Sequence, residues 1–343
     1  MNQTFEELMR TADPARDVGP LPPARRAAVL EAATTARPVP IRPGRRPLRW
    51  VAAAAALAFV GGAAALQFRG TPAAEARADE VLETAAINAT DPAVTPGQYW
   101  AVTTSTTGVM GVCETESNED CYNGYVYRST RTDYIEVTGS LPSWHVDGEI
   151  EVVEVLDERA ANPLHPDPNV WTTNLAPNDF PGGWQQTSPA WLAALPRDHE
   201  LLRERLYAES AQGNDKSAFT YATDLLRSGL VPADLRASLF EVIASIPGTI
   251  VTEEVATVDS REGVAIGRIE DGEVKSEIII DPEVGQVIAE RGYSEDPVVR
   301  QWDLGTTYDR RLVDSIPQEV SEIAVRQVCT PPTSDNATTC EVE

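Results

Sequence analysis

The sequence predicts an α+β domain, a curved antiparallel sheet with covering helices, preceded by one transmembrane helix and a mostly disordered N-terminal arm. Three observations lead there. Residues 50–68 form an uncharged apolar run between arginines, the hydrophobic period downstream switches between 3.6 and 2, and all four cysteines follow the run. The implied organisation is an arm at 1–49, a span at 50–68, a juxtamembrane helix and linker at 69–97, and an extracytoplasmic domain at 98–343.

The arm carries nine arginines against five acids, a net of +4 within a chain whose net charge is -25. The remaining 19 basic groups face 48 acids. An acidic surface repels phosphate, so the large part is not expected to bind nucleic acid. Pro20, Pro22 and Pro23 interrupt the arm, and Pro38, Pro40, Pro43 and Pro47 stop any helix begun at Ala24. A segment of this length and composition buries little surface and is read as disordered, folding only on a partner.

From Trp50 to Phe68 the run holds nine alanines and no charge. As a helix it reaches about 28 Å, close to the roughly 30 Å of a bilayer's hydrocarbon core. Arg45, Arg46 and Arg49 precede it and Arg69 follows it, while Trp50 suits an interfacial anchor. The positive-inside rule then keeps the N-terminus in the cytoplasm and places the bilayer among the partners. Two readings compete. A cleaved signal peptide would find a cleavage-like step at Ala76-Arg77-Ala78 but would have an unusually long leader. A buried soluble helix would normally carry some polar face.

Cys113, Cys121, Cys329 and Cys340 all lie on the far side of the run, as an oxidising compartment would favour. Four cysteines allow three connectivities; the local one, Cys113 with Cys121 and Cys329 with Cys340, is preferred because each pair closes a polar loop. Zinc is the rival, but it calls for C-x-x-C spacing or nearby histidines, and the sequence has neither.

After the span, Ala74 to Asn88 reads as a helix, with Ala78, Val81, Leu82 and Ala85 on one face. The period then changes to 2. Strands are expected at 98–106, 124–131, 134–138, 143–146 and 149–156, the last two joined by a two-residue turn at Asp147-Gly148. Residues 157–187, dense in Pro, Asn, Asp and Gly, read as a long loop pinned by Trp171, Phe180 and Trp184. Helices follow: Ser188-Pro189 opening one through Leu195, Asp198 capping His199 to Ala211, then 218–228 and 234–246. Strands resume at 249–259, 263–270, 274–280 and 286–290, with turns at Asp271-Gly272 and 281–285, and two more are expected at 298–304 and 322–328.

Ser188 to Gly292 contains Leu192-Ala-Ala-Leu-Pro196, Asp224-Leu-Leu-Arg-Ser-Gly-Leu-Val-Pro232, Leu235-Arg-Ala-Ser-Leu-Phe240, Ile246-Pro-Gly248 and Ile280-Asp-Pro282. In these pieces the chain resembles a family of uncharacterised actinobacterial single-pass membrane proteins, often encoded beside extracytoplasmic-function sigma factors. Members often have a Gly-Arg-x-Gly step in the first late hairpin, of which Ser260-Arg261-Glu262-Gly263 keeps part. The order of helices and curved sheet is also similar to lipoprotein-carrier and sigma-regulator sensor half-barrels, an analogy of fold.

No hydrolase, Walker, zincin or dinucleotide fingerprint occurs, and His145, His165 and His199 fall far apart, so no catalytic residue and no cofactor is expected. Glu114, Glu116, Glu119 and Asp120 cluster between two cysteines without the spacing of a calcium loop. Asn88-Ala-Thr90 and Asn336-Ala-Thr338 match a glycosylation pattern that matters only in a eukaryotic source. Topology and resemblance together imply a membrane-anchored extracytoplasmic sensor or regulator, anti-sigma-factor-like and non-enzymatic, whose residues 1–49 bind a cytoplasmic protein such as a sigma factor. Zinc-type anti-sigma domains carry a His-and-Cys motif, and the arm has neither residue. The alternative is a membrane-tethered module that holds a lipid or other apolar ligand against its sheet.

Overall fold

The computed structural model describes residues 72–113, 121–160, 169–293, 304–331 and 338–343. Contacts divide the chain into Met1–Ala63 and Ala64–Glu343, and every described residue belongs to the second unit. The arm, the 50–68 run with its flanking Arg45, Arg46, Arg49, Trp50 and Arg69, the acidic residues 114–120, His165 and Asn336 lie outside the described residues. Among the described residues no helix is long and apolar enough to cross a membrane.

A helix, α1 (Pro72–Asn88), comes first, and the four residues expected on its inner face are all buried. Five strands follow: β1 (Tyr99–Cys113), β2 (Cys121–Glu136), β3 (Trp144–Asp147), β4 (Glu151–Val155) and β5 (Asn169–Thr173). Four helices then succeed one another, α2 (Pro189–Ala193), α3 (His199–Glu209), α4 (Asp215–Arg227) and α5 (Ala233–Ala244). Next come β6 (Thr249–Val258), β7 (Arg261–Glu270), β8 (Glu273–Asp281), β9 (Gln286–Gly292) and β10 (Gly305–Val313). The chain ends with α6 (Gln318–Ile323), β11 (Val325–Thr330) and β12 (Thr339–Val342). The strands form one curved, unclosed sheet in the order β12-β11-β5-β3-β2-β1-β10-β9-β8-β7-β6, with β4 also on β2. Its neighbours run antiparallel except β5 and β11, which are parallel. The α+β expectation holds at this level.

Several local expectations need correction. Residues 124–138 do not make two strands: β2 runs unbroken from 121 to 136, because Thr132 and Asp133 pair with Thr103 and Val102 of β1. Asp147-Gly148 is not a hairpin turn. Both β3 and β4 run antiparallel to β2, one after the other, so the dipeptide marks a break in a single track. There the Gly148 N–H donates to Thr130 O at 2.7 Å, and a Cβ on Gly148 would sit 2.8 Å from that oxygen. The expected loop at 157–187 contains β5, which sets Trp171 opposite His145. The expected strand at 322–328 is the end of α6 followed by β11. β10 went unforeseen at 305–313; all but the last residue of the strand expected at 298–304 lies outside the described residues.

Capping explains where the helices begin. Ser188 and Asp198 accept from the N–H groups of Trp191 and Leu201, as expected. Asn214 caps α4 reciprocally with Ser217, which starts that helix three residues earlier than periodicity alone placed it. The β6–β7 turn uses Asp259 and Ser260, both in the left-handed region at φ 47° and 65°. Ser260 holds a backbone position that favours glycine.

Three hydrophobic clusters follow from this layout. In the largest, α1, α3, α4 and α5 pack onto one face of β7, β8 and β9, with Leu82, Leu202, Leu239, Phe240, Ile266 and Ile280 all but inaccessible. Each such side chain contributes about 1.5–3 kcal/mol on burial. The opposite face carries Ala256, Ala265, Ile279, Ile288 and Ala289. Val320 of α6 joins Tyr99, Ala101 and Tyr134 in the third cluster.

Candidate functional site

Alternation along the strands decides which residues share the site. In β1 and β10, Trp100, Val102, Tyr308 and Arg310 fall on the same face, with Val102 opposite Arg310. The Arg310 guanidinium lies 3.5 Å over the Trp100 ring, a cation–π contact removed from water. Its Nη1 donates to Asp91 Oδ1 at 2.8 Å.

A second arginine, Arg236, converges on the same carboxylate. It sits on α5 between buried Leu235 and Leu239 and is itself only 4% exposed. Its donors reach Gly285 O at 2.7 Å, Val231 O at 2.8 Å, Thr90 O at 3.1 Å and Asp91 Oδ1 at 3.2 Å. Asp91 Oδ2 accepts the Ala233 N–H at 2.8 Å and so caps α5 from a distant stretch of chain, because Pro232 at the N-cap offers no side-chain acceptor. Two guanidinium groups thus share one carboxylate. Arg310 Nε is buried with no hydrogen-bond partner, alone in this among the described residues. Burial pulls the Arg310 guanidinium below its usual range; Asp91 opposes the shift and the Arg236 charge reinforces it.

Beside Arg310 lies a cavity of about 260 Å³. It opens between the linker that follows α1, the sheet face at Trp100 and Ile135, and the helical layer at Leu192, Leu230 and Pro232. That volume is just under the roughly 300–1,000 Å³ common for small-molecule sites. On the other side of Arg310 a cavity of about 20 Å³, bordered by Arg227 and Tyr308, has room for one water. Burial pushes the Tyr308 phenol up to about 12. Burial likewise lowers Arg227, which pairs with Asp224 and Glu290.

Glu136 also borders the larger cavity, yet its oxygens are occupied elsewhere. They accept from the backbone N–H of Gly97 (2.9 Å), Thr138 (3.0 Å) and Ser140 (3.1 Å) and from Thr138 Oγ1 (2.6 Å). Burial alone would raise this carboxyl, but these donors outweigh it and hold Glu136 below its ordinary value. Its role is to fix the turn at the end of β2.

No family model, curated protein or solved structure matches the chain. Chemistry at the site therefore rests on these residues alone. The cavity wall offers an apolar surface, two cations, Arg310 and Arg197, of which Arg197 is paired with Asp234, and carboxylates already engaged, an arrangement suited to holding a molecule.

The structure brings some sequence-selected residues together and separates others. Cys329 and Cys340 form a disulfide between β11 and β12. Cys113 and Cys121 face each other in the β1–β2 register; their side chains are outside the description. His199 contacts Glu241 at 3.1 Å at the exposed start of α3. His145 stacks on Trp171 with centroids 3.9 Å apart and meets Asp133 at 2.6 Å, while Arg131 bonds Asp133 at 2.8 Å. Burial would raise the Asp133 carboxyl, but His145 and Arg131 lower it. Among the described residues no group of three His, Cys, Asp or Glu could hold a metal ion. Asp91, Arg236 and Arg310 went unmarked in the sequence. The available signal was an arginine on the apolar face of a predicted helix, Arg236 beside Leu235 and Leu239.

Proposed function

We infer that the protein is a membrane-anchored extracytoplasmic binding module, whose outer domain takes a small apolar or amphiphilic ligand into the cavity at Trp100 and Arg310. The observation that carries this reading is the 260 Å³ cavity between the helical layer and the sheet, walled by Trp100, Ile135, Leu192 and Leu230. Pockets of this make-up, apolar with a few placed polar groups, are the usual form of ligand sites. Anchoring by residues 50–68, with the N-terminus cytoplasmic, rests on the charge-free run and its flanking arginines. The test is ligand uptake by the full-length protein in nanodiscs, followed by calorimetry with decanol against empty nanodiscs. Leu230→Trp, which fills the cavity, should abolish saturable uptake while leaving the unfolding temperature within a few degrees. Equal uptake by wild type and Leu230→Trp would defeat the reading.

A second reading makes the same module the sensor of a regulator, with residues 1–49 binding a cytoplasmic protein such as a sigma factor. The charge asymmetry of the arm supports it. Pull-downs comparing the full chain with a chain lacking residues 1–49 test it. Identical recoveries would remove its support.

A further inference from the structure

The carboxylate count around Arg310 is short by one. Arg236 and Arg310 are 4% and 8% exposed, and the negative group bonded to both is Asp91. Arg236 is otherwise provided for, since three backbone carbonyls also accept from it. Arg310 makes a single hydrogen bond to the described residues, and its Nε is buried without an acceptor. A buried charged donor left unsatisfied is costly, and native structures seldom keep one unless an ion, a water or a ligand completes it. Arg310 forms part of the wall of the apolar cavity, which brings an acceptor arriving there beside its side chain; Arg197, the other cation on that wall, already pairs with Asp234. The other acid on that wall, Glu136, is fully engaged by four donors and leaves Arg310 unanswered.

We propose that the ligand is an acid-ended amphiphile, a single apolar chain bearing a carboxylate or phosphate, with its head against the Arg310 guanidinium and its chain along Trp100, Ile135, Leu192 and Leu230. This rests on the cavity being a ligand site, as argued above, and adds the charge of the occupant. The cavity volume suits one medium-length chain. The guanidinium, stacked on Trp100 and tied to Asp91, is held in place before the head arrives, which lowers the ordering cost of binding.

Decanoate, decyl phosphate and decanol share one chain length and differ in the head. Each is titrated at pH 7.5 into the full-length protein in nanodiscs, with empty nanodiscs subtracted, for wild type, Arg310→Met, Arg310→Lys and Leu230→Trp. The expected result is that at least one anion binds wild type about tenfold or more tighter than decanol, as one charge-assisted hydrogen bond warrants. That advantage should vanish in Arg310→Met and shrink in Arg310→Lys, which keeps a cation near Asp91 but lacks the Nε–H. Preference for decanoate or for decyl phosphate identifies the head. If decanol binds as tightly as both anions and Arg310→Met leaves the order unchanged, the charge assignment fails while the cavity reading stands; the acceptor for Nε is then a water in the 20 Å³ cavity. If no probe binds, or Leu230→Trp binds all three as wild type does, both fail together. Should Arg310→Met not fold, as judged by circular dichroism, the Arg310→Lys comparison decides alone, and an undiminished anion preference in it overturns the proposal.

Discussion

Replacing Asp91 by alanine should be among the most damaging single changes outside the hydrophobic clusters. The carboxylate accepts from Arg310, Arg236 and the Ala233 N–H. Its loss leaves Arg236 with three carbonyl acceptors, so that residue suffers little. Arg310 loses its hydrogen bond to the described residues while 8% exposed. Stripping the counter-charge from a buried ion costs about 3–5 kcal/mol, and loss of the α5 cap adds about 1 kcal/mol. Because Asp91 itself is 16% exposed, water enters the vacated space and brings the total toward about 3–4 kcal/mol. For a domain of this size that is a fall in unfolding temperature of roughly 6–16 °C. Thermal unfolding followed by near-ultraviolet circular dichroism measures it. A cycle with Arg310→Met checks the cause: the double variant should be less destabilised than the sum of the singles by about 1.5 kcal/mol or more, since removing the charge relieves the penalty. A fall below about 2 °C for Asp91→Ala, or an additive cycle, would refute the argument that Arg310 depends on this carboxylate.

Three further outcomes follow from the same geometry. Glu136, whose folded-state pKa lies below its ordinary value of 4.5, contributes stability that is present above that value and lost as pH falls through the lower folded one; Glu136→Gln should therefore flatten the acid limb of a plot of unfolding temperature against pH, and a limb as steep as wild type's would contradict this. Gly285 has φ +60°, and an added Cβ would lie 2.3 Å from Ala85 O, so Gly285→Ala should cost about 2–4 kcal/mol in chemical denaturation; a cost under about 1 kcal/mol would show that the α1 end can move aside. Cys340→Ser opens a link across a sequence separation of 11 whose β12 end is exposed at all four residues, so amide exchange at 339–342 should rise while α5 stays protected, and unchanged protection of β12 would mean its ladder to β11 suffices alone.

How much of this was legible depended on how local the cause was. The α1 face, the caps at Ser188 and Asp198 and the Asp271-Gly272 turn are written within a few residues, and they could be read directly. β5 was hidden because Asn169 to Thr173 is short, lies in a Pro-rich stretch, and is stabilised by pairing with β3 and with the distant β11. The 322–328 segment misled for a similar reason: Gln318–Ile323 is a six-residue helix whose buried contact, Val320, belongs to a cluster built from β1 and β2. The cavity was the least legible feature. Its wall draws on residues 91, 100, 135, 192, 230 and 310, and its charged members break the rule that arginine and aspartate stay outside. Patterning finds the elements that obey it, and a site made from the exceptions appears only when distant segments meet.

The position of the cavity also limits how an occupant could act on the rest of the chain. Its wall includes Asp91, Pro92 and Val94, in the linker that directly follows α1, the first described helix after the 50–68 run. α1 itself is held firmly: its inner face is buried, Asn88 Nδ2 donates to Pro282 O at 2.9 Å, and Gly285 packs against Ala85 and Ala89 with no room for a side chain. The linker is different, since Pro92 to Gly97 is exposed and tied mainly at its two ends, by Asp91 and by the Gly97 bond to Glu136. A ligand changes an equilibrium only through contacts that differ between two states, and the linker is the most exposed part of the wall. Saturating decanoate should therefore raise amide protection at 93–98 and leave α1 unchanged. If α1 responds and the linker does not, the occupant acts through the helical core, and a sensor reading would have to be built on α5 and Arg236 instead.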